Sequence, residues 1–399
     1  MSDSAHYLVG AKTVDITPSL DKTVFLAGFG QNRRATGVLH PLAASILYVK
    51  DAGGSAVCLV SVDLIGLFKT YVDSIRSLVK DIIDPARVFV CSTHTHSGPD
   101  TMGLWGKSLV GFPLKSGVDA GYMDWLVEQV AEGIRSAVAA AEPASLASVT
   151  FDTPDHWVRN DRKGGGSYRR AVALAARIGD RIPALLVNFA AHPETLWDKN
   201  HLISPDYPGP FRARLKELGV ETPIFFTGPL GAMLTPNVNP KGHFEERRQY
   251  VENLGKELAE LSIQQVEKAE PLAGPILATH KDFVVANLNW RFNFAKKLGV
   301  FEREIPNGFI STEMNQLSLG QLTIATVPGE ASPEVGEMLH EAMTGRDRMI
   351  FCLGCDELGY IIPSTFWNNP EYKYETTMSL GAHMAHLVVA NVFEQRLGG

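Results

Sequence analysis

Two histidines separated by a single residue stand in the segment Cys91 to Pro99, CSTHTHSGP, directly after the apolar run Ala86 to Val90. In extended backbone, residues two apart face the same side, so His94 and His96 would turn two imidazoles toward one place. Neutral imidazole is a common ligand of transition metals, and histidine is also the side chain that titrates nearest neutral pH. Such a pair therefore suits a metal site or a proton shuttle. A surface turn rich in Ser, Thr, Gly and Pro that happens to hold two histidines is the competing reading, and the motif by itself does not choose.

A third histidine occupies a comparable place. The apolar run Pro183 to Ala190 ends in AAHPET, which sets His192 at a strand end, where α/β folds bring polar side chains together. Glu330 lies in VPGEASPE after the strand-like run Gln321 to Val327. A carboxylate between a Pro-Gly turn and a helix reads first as an N-terminal capping acid. Residues 355 to 375, CDELGYIIPSTFWNNPEYKYE, hold Tyr360, Tyr372 and Tyr374 among turn residues, and buried tyrosines usually serve packing with one hydroxyl hydrogen bond. Cys352 and Cys355 form a CxxC, but Cys352 sits in the strand-like run Met349 to Leu353 with Cys355 just after it, so core cysteines are favoured over zinc or redox work.

These residues need elements to position them. The apolar runs Ala44 to Val49, Ala56 to Val62, Arg87 to Cys91, Ala171 to Ile178 and Ala184 to Ala190 predict buried strands. Amphipathic spacing predicts helices over Tyr71 to Ile83, Ala120 to Ala141, Phe211 to Leu218, Glu245 to Lys268 and Pro333 to Met343. Before the third helix comes SPDYPGP, in which Asp206 reads as a turn former or cap, and the glycines at 164 to 166 read as a mobile loop. Strands alternating with helices indicate an α/β fold: a single large domain over residues 1–399 with a mixed central sheet flanked by helices.

The whole chain has the composition of an ordinary globular protein, 45% hydrophobic and 20% charged, without a linker, repeat or low-complexity tract. At 399 residues it can hide about three quarters of its unfolded surface. A net charge of −7 argues against a nucleic-acid partner, which would call for a basic stripe, and leaves a small-molecule substrate as the favoured partner, with homo-oligomerisation open. No window approaches the roughly 18 apolar residues of a membrane span, and the N-terminus lacks a basic segment followed by an apolar one. Four cysteines fit a reducing compartment. The expected location is cytoplasmic.

Taken in order, the landmarks resemble the catalytic domain of the neutral/alkaline, non-lysosomal ceramidase family. They are VGAKTVDITP near the start, VSVDLIGL at 60 to 67, STHTHSGP at 92 to 99, NFAAHPETL at 188 to 196, LTPNVN at 234 to 239, VPGEASPEVG at 327 to 336, and the tyrosine segment. The resemblance implies one zinc ion per chain, held by His94, His192, Glu330 and Tyr360. The family's Tyr-Val-Thr-Thr appears here as Tyr360-Ile361-Ile362-Pro363. It further implies His96 as acid/base, Tyr374 as hydrogen-bond donor to the oxyanion, and an arginine for substrate or oxyanion, Arg162 in preference to Arg159. Thr235 takes the place of a family serine.

The implied function is hydrolysis of a linear amide by a metal-activated water. Without a signal peptide or the C-terminal β-sandwich domain of secreted ceramidases, the expected substrate is smaller or more water-soluble than ceramide. Zinc hydrolysis of an ester, lactone or cyclic amide is the alternative, and so is a catalytically silent homologue that binds a small molecule.

Overall fold

A computed structural model describes residues 7–109 and 112–397. Its first sheet has nine strands: β1 (Tyr7–Asp15), β2 (Ala43–Asp51), β3 (Ala56–Val62), β4 (Val88–Ser92), β5 (Glu142–Asp152), β6 (Arg170–Ile178), β7 (Arg181–Phe189), β8 (Val220–Thr227) and β9 (Glu270–Leu272). They run in the order β8-β7-β6-β5-β1-β2-β3-β4, with β9 paired to β5. The pairs β3–β4 and β7–β8 are parallel and the others antiparallel. A second, four-stranded sheet is built from β10 (Ile276–Ala286), β11 (Phe309–Leu319), β12 (Leu322–Thr326) and β13 (Asp347–Phe351), and β12–β13 is its parallel pair.

The two sheets face each other. Val172, Leu174, Leu186 and Phe226 of the first meet Leu317, Ile324 and Phe351 of the second in one core, where Phe226 and Phe351 stack with centroids 4.0 Å apart. Asn188 clamps the layers by donating to Ile350 O at 3.1 Å and accepting from Ile350 N at 3.2 Å.

Helices cover the outer faces. Beside α1 (Lys69–Val79), helices α2 (Ala120–Ala139), α3 (Pro208–Glu217) and α4 (Phe244–Val266) pack on the first sheet. Two shorter helices, α5 (Trp290–Lys297) and α7 (Lys373–Thr377), lie in connections, whereas α6 (Pro333–Ala342) and α8 (Met384–Glu394) pack on the second sheet. The sequence of β6 explains why it is buried on both sides. Its alanines at 171, 173 and 175 pack on the helix side, while Val172 and Leu174 face the other sheet. Close packing continues where α4 crosses α3, since a Cβ on Gly255 would lie 2.6 Å from Tyr207 O.

The mixed sheet and flanking helices agree with the sequence expectation; the division into two facing sheets is the addition. Alternation in a strand buried on both faces is hidden, so periodicity cannot tell one sheet from two. The parallel pairs matter most for function. His94 follows β4, His192 follows β7, Glu330 follows β12 and Tyr360 follows β13, so one site forms where the C-terminal ends of both sheets meet.

Candidate metal centre and active site

The two-residue spacing of His94 and His96 brings their rings together, but not through an extended strand. β4 ends at Ser92, and His94 has φ of 70° in the left-handed region, which costs on the order of 1 kcal/mol for a residue with a Cβ. Its backbone N–H is held by Leu64 O at 2.9 Å. The turn, rather than strand alternation, sets the ring centroids 4.8 Å apart. From the other loop, His192 comes within 5.2 Å of His94 and 5.7 Å of His96, centroid to centroid. The loops brace each other through His96 N–H to Pro193 O at 3.0 Å.

The tautomers follow from the backbone. His94 Nδ1 lies 2.6 Å from Ile65 O and His192 Nδ1 lies 2.9 Å from Leu234 O. A carbonyl only accepts, so each Nδ1 carries a proton. The Nε2 atoms then turn toward a single carboxylate oxygen, Glu330 Oε2, at 3.3 Å from His94 and 3.1 Å from His192. Lone pairs facing a carboxylate need a cation between them, either a proton or a metal. Burial would raise the Glu330 carboxyl, but His94 and His192 hold it below the usual carboxylate range. Burial would lower His192, but Glu194 and Glu330 outweigh it and lift the imidazole to about 9. Two imidazoles and a carboxylate so arranged are a donor set of the kind that holds zinc.

The capping role expected for Glu330 falls to another residue. Ser332 caps α6 by accepting from Val335 N at 3.4 Å, which frees Glu330 for the histidines. A short parallel ladder pairs Glu330 with Tyr360, so the tyrosine stands beside the carboxylate. The Tyr360 hydroxyl donates to Met233 Sδ at 3.7 Å, and burial with the nearby Glu330 charge pushes its pKa well up.

His96 differs from its neighbours. Both ring nitrogens are buried without a hydrogen-bond partner. Burial, His94, His192 and the Arg33 guanidinium hold its pKa well below the usual histidine value, so it rests as a neutral base. Phe29 packs edge-on to the ring at 4.9 Å, and Arg33 donates to the carbonyls of Ala27 and His96. Gly28 closes the wall, because a Cβ there would lie 2.3 Å from His96 Cγ and φ is +96°.

Tyr374 and Tyr360 line the same cavity as His94, His96 and Glu330, and their rings are 5.8 Å apart. Arg162 is not among the cavity-lining residues; its Nε donates to the buried Glu375 at 2.6 Å, next to Tyr374 in the chain. Arg159 is tied to Asp161 and to the carbonyls of Pro236 and Val238. Thr235 lies opposite Arg159 in a two-stranded ladder, with a buried hydroxyl that has no partner.

Sequence reasoning missed Glu194. It is 1% exposed, neither carboxylate oxygen has a hydrogen-bond partner, and Oε2 lies 3.2 Å from His96 Nδ1 without hydrogen-bond alignment. Its signal was its place two residues after His192 in AAHPET. Glu357 was missed as well. It lines the cavity, accepts from Gly359 N at 2.7 Å, and burial followed by the Glu330 charge raises its pKa well above the usual carboxyl value. Asp206, expected as a turn former, is buried at φ 63° and accepts from Leu196 N at 3.0 Å and Tyr207 N at 2.8 Å, which anchors the loop after His192. The cysteines are all buried and unpaired, in keeping with a core role. Among the described residues a second cluster, His280, Asp282 and Glu313, also has metal-like spacing, but Lys69 and Arg76 already neutralise Glu313.

No family model matches the chain. Neutral ceramidase B of Dictyostelium discoideum is 26% identical over 232 residues, 52% of this chain and 31% of that protein. Neutral ceramidase of Pseudomonas aeruginosa is 22% identical over 314 residues, 73% of this chain and 45% of that protein. The crystal structure of the Pseudomonas aeruginosa enzyme superposes with a TM-score of 0.80 at 17% identity, covering 99% of this chain and 76% of that one. In sequence the chain is similar to these neutral ceramidases, and it shares their fold.

A structure described as ceramidase complexed with C2 gives the same TM-score, 0.80, over 98% of this chain and 75% of that one. The chain spans less than half the length of the curated neutral ceramidases it matches, and at 17% identity the structural likeness shows the fold alone. Among the described residues, no helix is long and apolar enough to cross a membrane.

Proposed function

We propose that the chain is a zinc-dependent amide hydrolase, with the metal held by His94, His192, Glu330 and Tyr360. One observation carries the reading: two imidazoles with Nδ1 committed to backbone carbonyls converge through Nε2 on one Glu330 oxygen. Zinc held by that set would supply Lewis acidity, acidifying water and polarising the scissile carbonyl.

The chain's own residues complete the chemistry. His96, buried and neutral, accepts the proton of the attacking water and returns it to the leaving amine. Glu194, whose Oε2 stands 3.2 Å from His96 Nδ1, offsets the positive charge that the ring gains when it accepts the proton. Tyr374 donates to the developing oxyanion. Arg162 acts at one remove by holding Glu375, the neighbour of Tyr374. Thr235 adjoins Leu234, whose carbonyl fixes His192, and helps to keep that short strand in place.

An apolar cavity wall that includes Ile65, Leu104, Phe292, Phe301, Ile310 and Leu380 suits the acyl part of an N-acyl amine. This lining gives no support to a more water-soluble substrate. Amine release from N-acyl substrates of graded acyl length, by protein stripped with a chelator and then resupplied with zinc, tests the proposal. Zinc-restored release rising with acyl length is expected. Release that is independent of metal, or none across amides and esters, would refute it.

A further inference from the structure

Glu357 is a polar residue of the cavity wall that the amidase chemistry leaves unused. Gly359 joins it to the metal centre: its carbonyl accepts from Glu330 N at 3.0 Å, and its N–H donates to Glu357 Oε1 at 2.7 Å. Glu357 Oε2 is buried and has no hydrogen-bond partner among the described residues. Arg303, the cation of the described cavity wall, does not answer it. Both terminal nitrogens of Arg303 go to Asp356, whose oxygens also accept from Thr312 and from Lys69 N. A buried polar atom left unpaired costs stability, so such an atom in a cavity wall marks a place for a ligand atom.

The surroundings of Glu357 say which ligand atom. A Cβ on Gly66 would lie 2.8 Å from Glu357 Cγ and 3.3 Å from Met102 Sδ, so the acid lies beside Met102, which lines the cavity with Ile65, Leu104 and Phe301. In the amidase reading that wall takes the acyl part, and the link through Gly359 keeps Glu357 close to the scissile carbonyl. A plain alkyl chain would leave Oε2 unpaired. A hydroxyl on the chain would not, since it donates to a carboxylate and both donates to and accepts from a carboxyl. An ammonium would require the charged form, which burial and then the Glu330 charge disfavour. We propose that Glu357 forms a subsite for a hydroxyl on the second or third carbon of the acyl chain, and so selects hydroxyacyl amides over plain ones. The proposal rests on the amidase reading for the place of the acyl chain, but its test needs no turnover.

Calorimetric titration of the zinc-supplied full chain with decanoate, 2-hydroxydecanoate and 3-hydroxydecanoate, the acids that cleavage would release, reads the subsite directly. Wild type should bind one of the hydroxy acids on the order of tenfold or more tighter than decanoate, because a site built around a hydroxyl penalises its absence. Glu357→Leu should abolish that preference while binding decanoate at least as tightly as wild type. Glu357→Gln, which keeps a donor and an acceptor, should retain part of the preference. Equal affinity of wild type for the three acids, or failure to bind any, would overturn the proposal. So would a Glu357→Leu variant that weakens all three alike, which would leave Glu357 only as a brace for Gly359. A hydroxyl preference with no amide cleaved would support the subsite and refute the amidase reading, whereas amide cleavage without any such preference would refute the subsite alone.

Discussion

His96 stands in the imidazole cluster yet makes neither of the contacts that prepare its neighbours for a ligand role. His94 and His192 each commit Nδ1 to a carbonyl, while both nitrogens of His96 are free of hydrogen bonds and a carboxylate lies beside one of them. His96→Ala should therefore retain metal and lose about a hundredfold or more in kcat, whereas His94→Ala and His192→Ala should lose metal and activity together. Metal analysis paired with turnover separates the cases, because a three-histidine metal site would lose metal in all three variants. Glu194→Gln should lower kcat roughly tenfold to a hundredfold with metal retained, as loss of an orienting partner typically does, and Glu194→Asp should recover part of it. Gly28→Ala, with its Cβ driven into the His96 ring, should cost turnover with little change in metal content.

At the scale of elements, α1 is tied to β11 by a buried ion pair. Arg76 on the helix donates through both terminal nitrogens to Glu313 on the strand, at 2.6 Å each, and Lys69 approaches at 3.1 Å. Burial alone would raise the Glu313 carboxyl, but Arg76 and Lys69 hold it at about 2, below the unfolded value of about 4.3. A depressed folded pKa contributes stability above the unfolded pKa that is lost as pH falls through the folded one. Acid should therefore weaken the protein between about pH 4 and 2, with this group contributing on the order of 3 kcal/mol. Chemical denaturation of wild type and Glu313→Gln across that window checks it: the variant should start less stable and show a shallower loss. His94 and His192 could be singled out because polar residues ending apolar strands stand out against them, whereas Glu330 read as a capping acid and was singled out only by the family resemblance. Glu313 was not, since it sits inside a strand, and its partner Arg76 reads as one more charge on an amphipathic helix. Glu194 and Glu357 were hidden for a related reason, as acids among turn residues look solvated until the fold buries them.

Across the whole molecule, the candidate ligands come from both sheets: His94 and His192 follow strands of the first, Glu330 and Tyr360 follow strands of the second. A metal held by all four would clasp the layers, and a ligand bound only by the folded state raises stability by mass action. Chelation should lower the melting temperature of wild type by several degrees and leave that of His94→Ala unmoved. The layered frame could be read from alternating strands and helices, but the meeting of two sheet ends at one site could not, because it depends on pairings distant in sequence. The most direct measurement is elemental mass spectrometry of purified wild type beside His94→Ala. The account predicts about one zinc per chain in wild type and none in the variant. Wild type that holds no metal even after zinc is supplied would contradict it.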